Sequence, residues 1–341
     1  MTLASVGAFT ILRYPLSFLW LLISFSPLSR PLAISLKTLS QNKQNREGSP
    51  AWAIITGPTG GIGKEFSLQL ARAGFSVLLV GRSQEKLDEL AKEIRETAND
   101  SSNGKGSLIE THRIDLGSSS EEDWTSFDLK LRQISDRAPI SMIINNAGIS
   151  HSFPVPFEST PISEIKAINA VNVISPLRLT HTALPYMIKN RRGLILNLGS
   201  FSALVPTPLL ATYAGSKGFL YTWSQALGTE LEPKGIQVRL LNTYFVASEM
   251  SKIKRPSFLI PSPKQYVRSV LKNLGLPGGA IGKSYISTTY LSHGIVQWII
   301  DRFFSESFWL NYNLRLQRSI LKRVERKKLR EQQQEKSKKV D

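Results

Sequence analysis

The 341-residue chain predicts an α/β fold, a doubly wound parallel sheet with helices on both faces. Three observations carry that expectation. Short apolar runs alternate with helical patterns, a glycine-rich turn follows the first run, and polar residues close the later ones.

Ala51-Trp-Ala-Ile-Ile55 is the first apolar run, read as a buried strand. Thr56-Gly-Pro-Thr-Gly-Gly-Ile-Gly63 follows, and then a helical pattern through Ala73. A strand that enters a glycine turn and then a helix N-terminus forms a phosphate cradle. The glycines let backbone amides approach a pyrophosphate, and the helix dipole favours its charge. The spacing is G-x-x-x-G-x-G, on Gly57, Gly61 and Gly63.

Phe75 to Val80 is the second strand, and Gly81-Arg82-Ser83 closes it. NAD selection calls for an acidic residue there, to bind the ribose 2′-hydroxyl. Arg82 instead suits a 2′-phosphate, with Lys64 a candidate second cation, so NADPH is expected. Lys86 to Thr97 reads as a polar-faced helix and Asn99 to Ser107 as a surface loop. Leu108 to Asp115 is the third strand; Asp115 is placed either to accept from the adenine amino group or to cap the next helix.

Ile140 to Ile144 is the fourth strand, closed by Asn145-Asn-Ala-Gly148, whose amides can lock neighbouring backbones and line a nucleotide crevice. Ile162 to Met187 is one long helical pattern containing Asn169 and Asn172. Leu194 to Leu198, Tyr213 to Glu230 and Ile236 to Leu241 then give the fifth strand, a helix and the sixth strand. Ligands of such a sheet bind at the carboxyl edge of its strands.

Tyr213-Ala-Gly-Ser-Lys217 stacks a phenol and an ammonium on one helical face through its i,i+4 spacing. A tyrosine is a poor proton donor at its usual pKa of about 10. An adjacent positive charge favours the phenolate and is expected to bring that pKa toward the working range. Ser200, just past the fifth strand, is set to hold a carbonyl oxygen.

Composition narrows the class. With no cysteine, the chain offers neither a disulfide framework nor a thiolate metal site. The four histidines are far apart without ligand spacing, so no metal site is expected. The net charge of +17 is concentrated near the ends, beside apolar segments. An anionic membrane surface explains that placement better than a nucleic-acid groove, and no nucleic-acid-binding motif is present.

Tyr14 to Ser29 is uncharged and mostly apolar, slightly short of the roughly 20 residues of a comfortable span. It is read as a membrane anchor rather than a cleaved signal, because no small-x-small site follows. Residues 1–48 are thus assigned to anchor and linker, 49–290 to a reductase domain, and 291–341 to a membrane-associated segment and basic tail. Tyr285 to Asn313 is aromatic but broken by charges, as in an amphipathic segment lying in the interface. From Arg315 the tail is polar, read as a solvated helix or disorder.

With its glycine turn, Asn145-Asn-Ala-Gly148, Ser200, Tyr213 and Lys217 in order, the chain resembles the short-chain dehydrogenase/reductase family over about Ala51 to Thr289. That resemblance implies a Rossmann-like fold. Gly148-Ile-Ser-His-Ser-Phe-Pro-Val-Pro-Phe157, Pro206-Thr-Pro-Leu-Leu-Ala-Thr-Tyr213 and Met250-Ser-Lys-Ile-Lys-Arg-Pro256 are similar to its very-long-chain 3-oxoacyl-CoA reductase branch. This branch includes the type 12 17β-hydroxysteroid dehydrogenase.

The branch implies NADPH-dependent reduction of a 3-oxoacyl-CoA in fatty-acid elongation, with other elongation enzymes as partners. Its implied place is the endoplasmic reticulum membrane, with the catalytic domain facing the cytosol. The closing Lys338-Lys-Val-Asp341 resembles a dilysine retrieval signal for that membrane.

Carried over, Tyr213 is the general acid, Lys217 lowers its pKa and holds the nicotinamide ribose, and Ser200 binds the substrate oxygen. Asn172, rather than Asn169, steadies a relay water. Cofactor contacts are expected from Gly57, Thr59, Gly61, Ile62, Gly63, Arg82, Asp115, Asn146, Tyr213, Lys217, Val246 and Ser248. Where the family usually has Pro-Gly after the sixth strand, this chain has Thr243-Tyr244. A steroid or retinoid carbonyl is the alternative substrate. A non-catalytic NADPH-binding scaffold is the alternative of another class.

Overall fold

A computed structural model describes residues 3–41, 49–99 and 106–337. Most of the linker, most of the loop after the second helical pattern and the terminal Lys338-Lys-Val-Asp341 lie outside the described residues. In chain order the elements begin with α1 (Leu3–Phe25), α2 (Leu36–Ser40), β1 (Trp52–Thr56), α3 (Gly61–Arg72), β2 (Ser76–Gly81) and α4 (Gln84–Asn99). Then come β3 (Ile109–Arg113), α5 (Glu121–Ser135), β4 (Ile140–Asn145), α6 (Ile162–Asn169), α7 (Ser175–Lys189), β5 (Gly193–Leu198) and α8 (Ala211–Leu231). β6 (Ile236–Leu241), α9 (Pro263–Lys272), β7 (Ile286–Ser287), α10 (Leu291–Arg302) and α11 (Glu306–Ser337) complete it.

The strands form one parallel sheet in the order β3-β2-β1-β4-β5-β6-β7. Strand order reverses between β1 and β4, which opens a crevice at their carboxyl ends. Alternating residues of β1 show how the sheet is held. Ala53 and Ile55 face one core with Phe66 and Leu70 of α3 and Leu87 of α4. Trp52 and Ile54 face the other, with Phe127 of α5 and Leu179 of α7. β1, β2, β4 and β5 are buried on both faces, so they read as continuous apolar runs rather than alternating ones.

Three features differ from the sequence expectation. The seventh strand was not anticipated: β7 is only two residues long and too short to show a period. α9 was not anticipated either; Ser262 and Gln265 form the capping box that starts it. The long helical pattern from Ile162 is broken by a π-turn at Ala170–Ile174, which holds the buried Asn172.

Among the described residues no single helix is long and apolar enough to cross a membrane. A bent pair, Leu12–Phe25 with Pro27–Ser40, passes that test together across a 76° bend. The leader rests on the domain: Ser17 Oγ accepts from Trp298 Nε1 at 2.9 Å and Arg302 Nε at 3.1 Å, and Phe18 packs 5.0 Å from Trp298.

The segment from 291 onward begins as part of the body. His293 of α10 is fully buried against Phe201, Tyr244, Tyr266 and Tyr290, and burial depresses its pKa to about 4. Gln297 accepts from Asn242 Nδ2 at 3.1 Å and from Thr288. α11 then runs as a helix to Ser337, so the basic tail is helical as far as it is described.

Candidate active site

The first strand delivers the chain into the glycine turn, where Gly57 has φ +60° and Gly61 φ +53°, values an L side chain rarely adopts. Gly63 is required for a different reason. A methyl group there would overlap the Gly57 carbonyl oxygen and meet Asn146 Nδ2 at 2.5 Å. Asn146 fixes the turn from the far side of the switch point, donating to Thr56 O at 2.9 Å and Gly57 O at 3.0 Å. Thr56 Oγ1 in turn accepts from the Asn146 and Ala147 amides at 3.0 Å each.

Helix α3 therefore starts on glycines, with no side-chain cap from Gly60 and no acidic residue in its first turn. Its opening amides and dipole suit a dinucleotide pyrophosphate, with Thr59 and Ile62 in the same turn. Across the crevice, the Cβ position of Gly61 lies 3.6 Å from Ser248 Cβ. Val246 is buried beneath, its carbonyl accepting from Ser251 Oγ. A dinucleotide cofactor fits this cradle: Gly57 to Gly63 would hold its pyrophosphate, and Ser248 would border the nicotinamide side.

Arg82, at the end of β2, is exposed. Its carbonyl accepts from Arg113 Nε at 3.3 Å, which brings a second guanidinium that the sequence reading missed. The expected second cation, Lys64, is instead ion-paired with Glu93 at 2.7 Å, because α3 and α4 pack side by side. Asp115 Oδ1 accepts from the Gly117 amide at 2.9 Å. It closes that turn and does not cap α5, whose cap is Ser120 in a box with Asp123.

Asn145 ties β4 to its neighbours through Thr180 Oγ1 at 3.0 Å and Asn197 Oδ1 at 2.7 Å. Past β5, Ser200 Oγ accepts from the Ser202 amide at 3.1 Å and caps a 3₁₀ turn, Phe201–Ala203. That fixes the hydroxyl at the strand mouth. Tyr213 and Lys217 stand on α8, with Lys217 Nζ 5.9 Å from the Tyr213 ring centroid. The same ammonium donates to Leu198 O at 2.8 Å.

Burial acts on both groups of the pair. Burial raises the Tyr213 phenol, and the nearby Ser200 hydroxyl pulls it partly back. Burial also lowers the Lys217 ammonium, to about 8, so it still carries its charge at neutral pH beside the ring. Proton donation to a substrate requires the phenol to be protonated before reduction.

Asn172 is held through both ends of its side-chain amide. Its amide donates to Ile149 O and Ser216 Oγ at 2.9 Å each, and its Oδ1 accepts from Ile149 N at 2.9 Å. The π-turn thus clamps the loop after β4 against α8, close to Lys217: a methyl on Gly148 would lie 3.5 Å from both Asn172 Oδ1 and Lys217 Nζ. Asn169 is exposed and bonds back to Ile165 O.

Thr243 and Tyr244 occupy the turn that the Pro-Gly comparison flagged. Thr243 Oγ1 lies 2.6 Å from Tyr266 OH, and Tyr244 packs between Phe201 and His293 at 5.2 and 5.8 Å. The extra bulk is absorbed by an aromatic cluster drawn from distant segments, which no local pattern announces.

A parallel sheet, a glycine cradle at its switch point and a Ser-Tyr-Lys group on the next loop and helix define an NAD(P)-dependent oxidoreductase. The chain belongs to the short chain dehydrogenase family, whose pattern matches residues 51–257. A relative from Phaeosphaeria nodorum, named Very-long-chain 3-oxoacyl-CoA reductase, is 46% identical over 75% of this chain and 72% of its own. One of the same name from Coccidioides immitis is 44% identical over 82% of this chain and 78% of its own. In fold, the chain is similar to a short-chain dehydrogenase from Sphingobium yanoikuyae in complex with NADPH. That likeness has a TM-score of 0.58 and 24% identity, over 75% of this chain and 96% of the other.

Proposed function

We propose that this chain reduces 3-oxoacyl-CoA to 3-hydroxyacyl-CoA with NADPH, as a step of very-long-chain fatty-acid elongation. The convergence of Ser200 and Lys217 on Tyr213 beside the glycine cradle carries the reading. The names of its relatives supply the substrate class.

Bound NADPH supplies the hydride that the substrate's C3 carbonyl carbon accepts. Ser200 donates to the carbonyl oxygen and holds it toward Tyr213. As the C=O electron pair moves onto that oxygen, Tyr213 gives up its phenolic proton and the alcohol forms. An alkoxide is far more basic than a phenolate, so a raised phenol pKa does not obstruct this transfer. Lys217 stabilises the phenolate as it develops, where a buried charge acts strongly. Asn172 keeps the ammonium's surroundings in place.

Arg82, with Arg113 beside it and no carboxylate at the end of β2, supports NADPH over NADH. Lys254 and Arg255 are exposed on the loop after β6 and suit the phosphates of coenzyme A. Lys252 is less available, its ammonium donating to Ser152 O at 2.7 Å.

The reading extends to place. The chain sits on the cytosolic face of the endoplasmic reticulum membrane beside other elongation enzymes. Exposed Leu16, Leu19, Trp20, Leu28 and Leu32 in the bent leader support membrane contact. Alkaline carbonate washing of membranes is expected to leave the chain in the pellet; release into the supernatant contradicts the placement.

The full chain in detergent micelles, offered 3-oxohexadecanoyl-CoA, estrone and retinal in parallel with NADPH and with NADH, tests substrate and cofactor together. The thioester with NADPH is expected to turn over fastest. Faster reduction of estrone or retinal, or equal use of NADH, overturns the corresponding part.

A further inference from the structure

The start of α11 is fastened to the active-site loop. Asn313 Nδ2 donates to Val205 O and Pro206 O at 3.4 Å each, and both carbonyls lie between Ser200 and Tyr213. One turn further, Gln317 is buried against the body.

Just before this latch the chain carries a run of packed aromatics. Phe304 and Phe308 stack at 4.4 Å, Phe308 meets Trp309 at 5.2 Å, and Trp309 meets Tyr312 at 6.1 Å. Phe308 and Tyr312 nevertheless remain 44% and 53% exposed, a costly arrangement for rings unless something apolar covers them.

A second aromatic series leads out of the site. Phe201 directly follows Ser200, lies 5.2 Å from Tyr244, and Tyr244 lies 4.8 Å from the half-exposed Phe245. The two series meet. Asn313, next to Tyr312, holds Val205 O, and Val205 N donates to Phe201 O at 2.9 Å, so α11 stands beside the turn that carries Phe201.

We infer that this track, from Phe201 and Tyr244 to Tyr312 and Phe308, receives the distal alkyl chain of the acyl-CoA, making the start of α11 the element that selects for chain length. The inference rests on the reductase reading above and deepens it. The occupant follows from continuity: the track begins at the residue next to the carbonyl-binding serine, and only an apolar substituent of that same substrate can run along it. A short acyl group ends before Tyr312 and does not sense it.

The test compares kcat/KM for 3-oxohexadecanoyl-CoA and 3-oxobutanoyl-CoA in the full chain, in Tyr312→Ala and in Phe308→Ala. Leu329→Ala, exposed further along the same helix, serves as control. The long-to-short ratio is expected to fall about tenfold in the two aromatic variants and to stay unchanged in the control. An equal loss on both substrates, or none on either, overturns the inference, since a purely structural role weakens both alike.

Calorimetric binding of palmitoyl-CoA, which cannot be reduced at C3, separates the two layers. Weaker palmitoyl-CoA binding in Tyr312→Ala supports the track even if no 3-oxo thioester turns over, an outcome that would remove only the reductase reading. Unchanged binding and an unchanged ratio remove the track alone.

Discussion

Tyr213→Phe is expected to lower kcat for 3-oxoacyl-CoA by about a thousandfold while leaving the fold and NADPH binding intact. The change deletes one hydroxyl from a side chain that is only partly buried, so no cavity opens in either core. The cofactor cradle is built from Gly57 to Gly63 and Asn146 and does not depend on the phenol. What disappears is the proton. Ser200 still holds a carbonyl oxygen, but a serine hydroxyl is a much weaker acid than a phenol. Steady-state turnover, with NADPH fluorescence to confirm binding, reads the result. An unchanged kcat removes Tyr213 from the role of acid.

Gly63→Ala carries the second large expected effect, this time on cofactor affinity. The added methyl group overlaps the Gly57 carbonyl oxygen and presses on Asn146 Nδ2, so the turn must shift as a unit. Such overpacking costs about 1–3 kcal/mol. The strain falls on amides that would cradle the pyrophosphate, so NADPH affinity should fall by about tenfold or more, since about 1.4 kcal/mol is tenfold. Gly215→Ala is the matched control. Gly215 sits within α8 with open space around it, and alanine there should be neutral or stabilise by about 0.5–1 kcal/mol. Fluorescence titration of both variants decides the matter. Equal affinity in the two contradicts the crowding argument.

Legibility in the sequence follows how local each feature is. The glycine turn, the paired asparagines and the tyrosine with its lysine each sit within a few residues, so their chemistry shows in their spacing. The sheet was readable for a similar reason: strands buried on both faces are continuous apolar runs.

Features formed by residues far apart were not readable. Lys64 looks free until α4 brings Glu93 to it. Lys217 looks aimed at the phenol alone until the Leu198 carbonyl appears 2.8 Å away. The π-turn at Asn172 leaves a helical pattern intact, because one extra residue per turn barely disturbs an apolar period over so short a stretch. Tyr244, His293 and Tyr312 come from three separate segments, and nothing in any one of them points to the others.

The most direct test of the central claim is product formation by the full chain in detergent micelles, wild type beside Tyr213→Phe, from 3-oxohexadecanoyl-CoA and NADPH. The account predicts one 3-hydroxyhexadecanoyl-CoA for each NADPH oxidised by the wild type, and almost none from the variant. Equal yields from the two proteins, or NADPH consumed without hydroxyacyl product, would contradict it.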